Sequence, residues 1–338
     1  MSGPNPSFEH MLRMSDDTGV FEHARGAVPR RQHGYCVDDV ARALLVIVRE
    51  SQPEPAVAAL GERCLTFLAH AQAQDGRFHN RLGYDRKWED EPGTGDWWGR
   101  ALWALGTTAV HHPRGWARDN ALACFELGAM RRSSSLRSMA FAALGAAEVA
   151  VARPGDTSSR ALLVAAGAKI GHPARDEAWP WPEPRLTYAN AVVPDALIAA
   201  GSVLGDDRLV DDGLYLLEWL LDAETRDNHL SVTPVGGWGP GERRLIFDQQ
   251  PIEAAALADA CARAHACTGH PRWLAGVELA VGWFHGRNDA GLSLLDPSTG
   301  GGYDGLTVTG CNTNQGAEST LALISTAQHG RRHACAPT

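Results

Sequence analysis

Two kinds of apolar pattern alternate along the chain, and both have the period of an α-helix. In the first kind, apolar residues, many of them alanine, cover nearly the whole helix surface, which indicates burial on most sides. Segments of this kind are VARALLVIV (40–48), RALWALGTTAV (100–110), SMAFAALGAAEVAV (138–151), DALIAAGSVL (195–204), IEAAALADACARAHA (252–266) and AESTLALISTA (317–327). The alternating β-branched runs that are typical of strands are rare. The pattern therefore predicts an all-α protein.

The second kind of segment is amphipathic, with one apolar face and one polar face, as expected for a helix on the outside of a core. Such segments occupy residues 56–72, 117–130, 159–170, 208–223 and 272–286, each after a segment of the buried kind. Residues 6–15 form a further outer-type segment with no inner helix before it, and the inner segment 317–327 has no outer helix after it. If these two ends pair, twelve helices close a ring of six hairpins. We therefore predict an (α/α)6 barrel, closed by the N-terminal outer helix and the C-terminal inner helix.

The boundaries of the predicted elements follow from the same pattern. The Ala-rich inner helices are expected to start near residues 38, 96, 137, 190, 251 and 315, which is the spacing of helix pairs with loops of variable length. We expect one barrel domain over residues 1–328 and a flexible tail over residues 329–338.

Composition and charge exclude several classes of partner. The 338 residues are 44% hydrophobic and 21% charged, which is typical of a globular protein, and the net charge of −9 argues against binding to nucleic acid. The chain has no apolar run long enough to span a membrane, no secretory leader in its first 30 residues, and seven scattered cysteines without a CxxC pair. We therefore predict a cytoplasmic protein without metal or cofactor. The sequence leaves its oligomeric state open.

Polar residues are concentrated where the inner helices begin. In such a ring all inner helices run the same way, so their N-terminal ends open on one face. The residues at these ends include Asp38, Asp39, Asp96, Arg100, Gln250, Glu253, Asn314, Gln315 and Glu318. One short polar residue per helix suffices for capping, and the helix dipole favours carboxylates there. The surplus of polar groups indicates a functional site on this face.

Paired carboxylates around a concave pocket suit the hydrolysis of glycosidic bonds. One acid protonates the leaving oxygen, and the other activates water or attacks the anomeric carbon. Asp39 and Glu253 are the first choice for this pair, with Asp38, Asp96 and Glu318 as alternatives. We expect Asp38 to cap its helix and Asp39 to face the pocket.

Tryptophans and amides supply the predicted substrate contacts. The chain has eleven tryptophans, and flat aromatic faces commonly hold sugar rings. The predicted platforms are Trp97, Trp98, Trp179 and Trp181, and the predicted hydrogen-bonding groups are Arg100, Gln250, Asn314, Gln315, Tyr35 and His33. For Arg100 the alternative is an ion pair with Asp96, four residues earlier on the helix. His33 is a candidate proton shuttle.

Several phrases of the sequence resemble the six-hairpin glycosidase superfamily. They are GYCVDDVARAL (34–44), GRALWALG (99–106), DQQPIEA (248–254) and AESTLA (317–322), and together they span most of the chain. They look still more like a bacterial group of uncharacterised barrel domains associated with glycosyltransferases. The resemblance implies the (α/α)6 fold and an oligosaccharide or glycan as partner. The adjacent aspartates also resemble a pair in bacterial α-1,6-mannanases, but the surrounding phrase does not match, so no substrate is carried over.

Three functions remain open at this point. A glycoside hydrolase is the leading hypothesis, because carboxylates dominate the predicted pocket. A sugar epimerase or isomerase on the same barrel is the second, although that chemistry usually wants histidine bases, and few histidines fall on the expected face. A glycan-binding domain without catalysis is the third.

Overall fold

Twelve α-helices and four small sheets make up the computed structural model, which describes residues 7–334. The inner helices are α2 (Val37–Val48), α4 (Asp96–His111), α6 (Leu136–Ala152), α8 (Val192–Leu204), α10 (Pro251–Thr268) and α12 (Ala317–Ala334). The outer helices are α1 (Glu9–Arg13), α3 (Pro55–Ala71), α5 (Gly115–Ala129), α7 (Thr157–Ile170), α9 (Asp207–Ala223) and α11 (Pro271–Phe284). Each inner helix begins within two residues of its predicted start.

The inner helices form a closed ring. Each packs against the next one along the chain, and α12 packs against α2, so the ring has no open edge. The outer helix α1 contacts α12 and supplies the sixth hairpin. The predicted (α/α)6 barrel and its closure by the two chain ends are therefore confirmed.

Small residues allow the closest contact in the ring, between α4 and α6. A Cβ atom at Gly106 would lie 2.4 Å from the carbonyl oxygen of Gly145, and one at Gly145 would lie 2.1 Å from that of Leu102. No side chain fits at either position, so the two backbones touch directly. The alanines of the inner helices extend this close packing around the ring.

Four short antiparallel sheets lie in the loops between hairpins. They pair β1 (Ala24–Arg25) with β2 (Val28–Pro29), β3 (Tyr35–Cys36) with β4 (Arg81–Leu82), β5 (Thr225–Arg226) with β6 (His229–Leu230), and β7 (Gly305–Thr307) with β8 (Gly310–Asn312). The β3–β4 and β7–β8 pairs hold loops against the N-terminal ends of α2 and α12. They bring loop residues to the face on which the inner helices begin.

The last helix is longer than the sequence pattern predicted. It continues to Ala334, so residues 329–334, which were predicted to belong to the tail, are helical. His329 is buried, and its Nε2 lies 2.7 Å from Oδ1 of Asp259 on α10, which anchors this last turn. Residues 335–338 of the predicted tail lie outside the described residues. Among residues 7–334, no helix combines the length and apolarity needed to cross a membrane.

Candidate active site

The N-terminal ends of the inner helices surround a polar cavity of about 420 Å³. Its size falls within the range of about 300–1,000 Å³ that is usual for small-molecule sites. The residues that line it are Glu22, His23, Cys36, Asp38, Asp39, Arg42, Arg81, Asp96, Arg100, Tyr188, Gln250, Ile252, Asp304, Asn312, Gly316, Glu318 and Ser319. Six of these side chains are carboxylates and three are arginines. We call this space the polar cavity.

Arg42 joins two of the carboxylates on neighbouring helices. Its Nη1 donates to Oδ1 of Asp39 at 2.7 Å, and its Nη2 donates to Oε2 of Glu318 at 2.6 Å. Asp39 is almost fully buried, whereas the Glu318 side chain is 37% exposed. Arg42 therefore holds the Glu318 carboxylate at the cavity surface, and the buried Asp39 carboxylate holds the Arg42 guanidinium in position.

Asp38 faces a second buried arginine. Its Oδ1 lies 3.2 Å from Nε of Arg100, but neither atom has a hydrogen-bond partner within the described residues. The Arg100 guanidinium also lies over the Phe141 ring, 3.8 Å from its centroid. Arg100 pairs with Asp38, so the alternative pairing with Asp96 on the same helix is not formed. Cys36 occupies the N-cap position of α2, so the expectation that Asp38 caps the helix was wrong. Asp38 thus keeps an open acceptor position in the polar cavity.

Asp96 is held by two hydroxyl donors. Ser138 Oγ donates to its Oδ1 at 2.7 Å, and the Tyr188 hydroxyl donates to its Oδ2. Tyr188 itself is 41% exposed and lines the cavity, so part of its ring is accessible there.

The two adjacent aspartates have perturbed acidity. Burial raises the pKa of Asp39 to about 7, and the nearby Arg42 opposes this shift without cancelling it. Burial also raises the pKa of Asp38, against the effects of Arg42 and Arg100. A carboxylic acid that stays protonated near neutral pH can donate a proton to a leaving group.

The raised pKa of Asp39 predicts that the free energy of unfolding falls as the pH rises from about 4 to about 7. Within this window the folded chain keeps a proton on Asp39 that the unfolded chain has released. One such group contributes at most about 1.4 kcal/mol per pH unit. Urea unfolding at several pH values measures the slope. Asp39→Asn should give a shallower slope than the wild type, and identical slopes would contradict the assignment.

Three cavity residues have the spacing of metal ligands. Donor atoms of Glu22, Cys36 and Asp39 all lie within 4.8 Å of one another. However, Arg81 donates to Glu22 and Arg42 donates to Asp39, so both carboxylates already have a cationic partner. Burial raises the pKa of the Cys36 thiol well above its usual value, which disfavours the thiolate that a metal requires. The arginines therefore make this a poor metal site.

Glu253 is a buried acceptor of hydrogen bonds, and burial raises its pKa to about 8. It is 3% exposed and does not line the polar cavity. Its Oε1 accepts the backbone N–H of Ala189, and its Oε2 accepts both the backbone N–H and the side-chain amide of Asn190, at 3.2 and 3.1 Å. Ala189 has the left-handed backbone angle φ of 45°. Glu253 thus secures a strained turn before α8, and the structure does not bring it together with Asp39.

The four predicted tryptophan platforms also lie outside the cavity. Trp98 is fully buried and donates to the Gly128 carbonyl, while Trp97 donates to the Phe78 carbonyl. Trp179 and Trp181 pack with two further tryptophans over the outer helix α9, with ring centroids 5.1–6.4 Å apart: Trp179, Trp181, Trp219 and Trp238. These residues stabilise the loops that surround the cavity and do not form its wall.

The remaining predicted contacts divide into two groups. Gln250 and Arg100 line the polar cavity, as do Asp38, Asp39, Asp96 and Glu318. Tyr35 is buried and its hydroxyl donates to Asp16, and the side-chain oxygen of Asn314 accepts from the Gly26 N–H. The side-chain amide of Gln315 accepts from Thr299 and donates to Asp296. His33 is exposed beside His23. These four residues are not in the cavity wall.

Sequence reasoning missed several residues that line the cavity. Arg42 was read as part of an apolar run, yet Arg-Ala-Leu recurs at 42–44 and 100–102, one turn into two neighbouring inner helices. That recurrence is a signal that could have identified it. Glu22, Arg81 and Asp304 come from loops, and the pattern of the inner helices contains no information about them.

Comparison with known proteins gives a consistent fold. Neither a scan against family profiles nor a search of curated proteins returns a match. Among solved structures, a sugar epimerase from a ruminal bacterium is 12% identical with a TM-score of 0.71 over 96% of this chain and 95% of that chain. The cellobiose 2-epimerase of Spirochaeta thermophila is 13% identical with a TM-score of 0.71 over 95% and 92%. The GH76 α-mannanase of Bacteroides thetaiotaomicron is 9% identical with a TM-score of 0.62 over 89% and 87%.

These similar structures include both glycoside hydrolases and sugar epimerases or isomerases, such as a D-mannose isomerase that is 11% identical with a TM-score of 0.68. At such low identity they show the architecture and not the reaction. The chain therefore shares the (α/α)6 barrel fold of these structures, as its sequence pattern predicted.

Proposed function

We propose that this protein is a glycoside hydrolase whose active site is the polar cavity. The observation that carries the proposal is the pair of carboxylates with opposite properties in one wall. Asp38 has a raised pKa and an acceptor atom without a hydrogen-bond partner within residues 7–334. Glu318 is accessible and fixed by the Arg42 guanidinium. A buried carboxyl group and an accessible carboxylate in one cavity are the two groups that glycoside hydrolysis requires.

Each residue then has a defined role. Asp38 donates its proton to the glycosidic oxygen as the bond to the anomeric carbon breaks. Glu318 either removes a proton from the attacking water or attacks the anomeric carbon itself. Asp39, the first choice on sequence grounds, acts through Arg42 as a positioning residue. Tyr188 supplies an exposed aromatic face for the sugar.

A sugar epimerase is the second candidate, because four of the similar structures are an epimerase or an isomerase by name. Within the described residues, His23 is the only histidine in the cavity wall, and its Nε2 lies 3.6 Å from Oε1 of Glu22. Epimerisation next to a carbonyl requires a base that removes a carbon-bound proton. One histidine among six carboxylates fits this chemistry less well than it fits hydrolysis.

A panel of reducing disaccharides and oligosaccharides, followed by proton NMR, separates the two candidates. The proposal predicts new reducing ends from at least one glycan, with the cleavage unaffected by His23→Ala. Formation of a stereoisomer without bond cleavage, abolished by His23→Ala, would establish the epimerase instead. Binding of a glycan without either product would favour a domain that holds sugar without catalysis.

Replacing Arg100 with methionine is expected to move the basic limb of the pH–rate profile upward by about 1 pH unit. Arg100 lowers the pKa of Asp38, so its removal keeps the acid protonated to higher pH. Methionine retains most of the contact with Phe141. Arg81→Met is the matched control, because it removes an arginine from the same cavity but one that pairs with Glu22. If both variants shift the limb equally, Asp38 is not the acid.

A further inference from the structure

A second space lies on the barrel axis directly below the polar cavity. Its volume is about 60 Å³, and its wall includes one apolar residue or more from every inner helix. Representative members are Leu45, Trp103, Phe141, Val192, Ala255 and Ala322. We call this space the axial hollow.

The axial hollow and the polar cavity share part of their walls. Arg42, Arg100, Ile252 and Glu318 line both spaces. The proposed catalytic residue Glu318 therefore stands at the boundary between a polar site and an apolar one. A sugar held against Glu318 would direct one of its substituents towards the hollow.

The hollow is unsuited to a hydroxyl group. Its polar members at the far end are already paired, because Asp195 bonds Arg263 and Asp259 bonds both Arg49 and His329. A hydroxyl group placed among the apolar side chains would lose its hydrogen bonds to water without replacing them. Apolar cavities of this kind stay dry and accept apolar groups.

The size of the hollow limits the group that enters. A water molecule occupies ~30 Å³ of liquid, and a cavity of ~150 Å³ takes benzene. The axial hollow lies between these values, which matches a methyl or acetyl group. Alanines at positions 255 and 322 keep the space open, where a larger aliphatic residue would fill it.

We propose that the axial hollow selects a sugar that carries a methyl-terminated substituent, either the C6 methyl of a 6-deoxyhexose or the acetyl group of an N-acetylhexosamine. This inference rests on the proposed function, since it extends the same active site. Arg42 and Glu318 hold the polar ring, and the apolar wall of the hollow receives the methyl group. A parent hexose, which places a hydroxyl there, binds and reacts less well.

Two arms of matched aryl glycosides test the substrate class. One compares a 6-deoxyhexoside with the hexoside of the same configuration, and the other compares a 2-acetamido-2-deoxyhexoside with its parent hexoside. In one arm the methyl-bearing substrate should have a kcat/KM about 10- to 200-fold higher. Equal values in both arms would overturn the inference and leave the hydrolase proposal intact.

Substitutions in α10 test whether the axial hollow causes the preference for methyl-bearing substrates. Ala255→Leu should abolish the preference by filling the hollow, so that kcat/KM for the methyl-bearing substrate falls to that for the parent hexoside, and Ala255→Val should reduce the preference if the leucine variant does not fold. Ala262→Leu is the matched control, because Ala262 lies two turns further along the same helix and lines a different cavity. A preference that survives Ala255→Leu would overturn the inference.

Calorimetric binding of free sugars keeps the two proposals distinguishable. L-fucose, L-rhamnose and N-acetyl-D-glucosamine are titrated beside L-galactose, L-mannose and D-glucose, which are the parent hexoses of the same configuration. If no aryl glycoside is hydrolysed but a methyl-bearing sugar binds more tightly and Ala255→Leu removes the difference, the hydrolase proposal fails and the selective hollow stands. If none of these sugars binds and none of the glycosides reacts, both fail.

Discussion

Asp38→Asn is expected to lower kcat on an unactivated oligosaccharide by about 100- to 10,000-fold, with little change in the melting temperature. The asparagine keeps the shape of the side chain but has no acidic proton to give to the leaving oxygen. The asparagine still places a side-chain oxygen beside Nε of Arg100, 3.2 Å from Oδ1 in the wild type, so we expect the variant to remain folded. Steady-state kinetics and a thermal unfolding scan measure the two effects.

The leaving group supplies an internal control for this prediction. The dinitrophenolate group of a dinitrophenyl glycoside leaves without being protonated. Asp38→Asn should therefore retain much more of its activity on that substrate than on the oligosaccharide. Asp39→Asn should lower activity less on both substrates, because Asp39 acts through Arg42. An equal loss on both substrates, or a larger loss for Asp39→Asn, would rule out Asp38 as the acid.

Glu253→Ala is expected to reduce the free energy of unfolding by about 3–5 kcal/mol, because each buried donor left without an acceptor costs about 1–3 kcal/mol. The alanine leaves the N–H groups of Ala189 and Asn190 and the Asn190 amide buried without their acceptor. Glu253→Gln should cost less, about 1–3 kcal/mol, because one amide oxygen still accepts. Urea unfolding of the wild type and the two variants measures these free energies.

Gln250→Ala is the matched control for Glu253, because Gln250 occupies the N-cap position of the same helix but lines the cavity and makes no side-chain cap. It should leave stability nearly unchanged. The folded fraction of Glu253→Gln should turn over substrate at close to the wild-type rate. Full stability combined with lost activity would instead return Glu253 to the catalytic pair.

The fold could be predicted because helical periodicity is a local property of the chain. The fully apolar run in α2 and the one-sided pattern in α3 distinguish inner from outer helices without any knowledge of their neighbours. The start of α10 was predicted from Pro251, which is well suited to a first helical position. The end of α12 differed, because the contact of His329 with Asp259 involves residues distant in sequence.

The site was predicted less well because loops decide which side chains reach it. Asp39 and Glu253 both occupy the third position of an inner helix, yet only Asp39 lines the polar cavity. The turn at Ala189 and Asn190 covers Glu253, and nothing in α10 encodes that turn. Trp98, also at a third position, is buried against the carbonyl of Gly128 on α5. The sequence pattern predicted the face on which these residues lie, and tertiary packing determines which of them line the polar cavity.

Cleavage of the best glycan of the panel by four proteins tests the central claim most directly. The wild type, Asp38→Asn, Glu318→Gln and Glu253→Gln are compared at equal concentrations of folded protein, with reducing ends counted over time. We predict cleavage by the wild type and Glu253→Gln, and loss of cleavage in the two variants of the polar cavity. Cleavage that persists in Asp38→Asn and Glu318→Gln but disappears in Glu253→Gln would contradict the account.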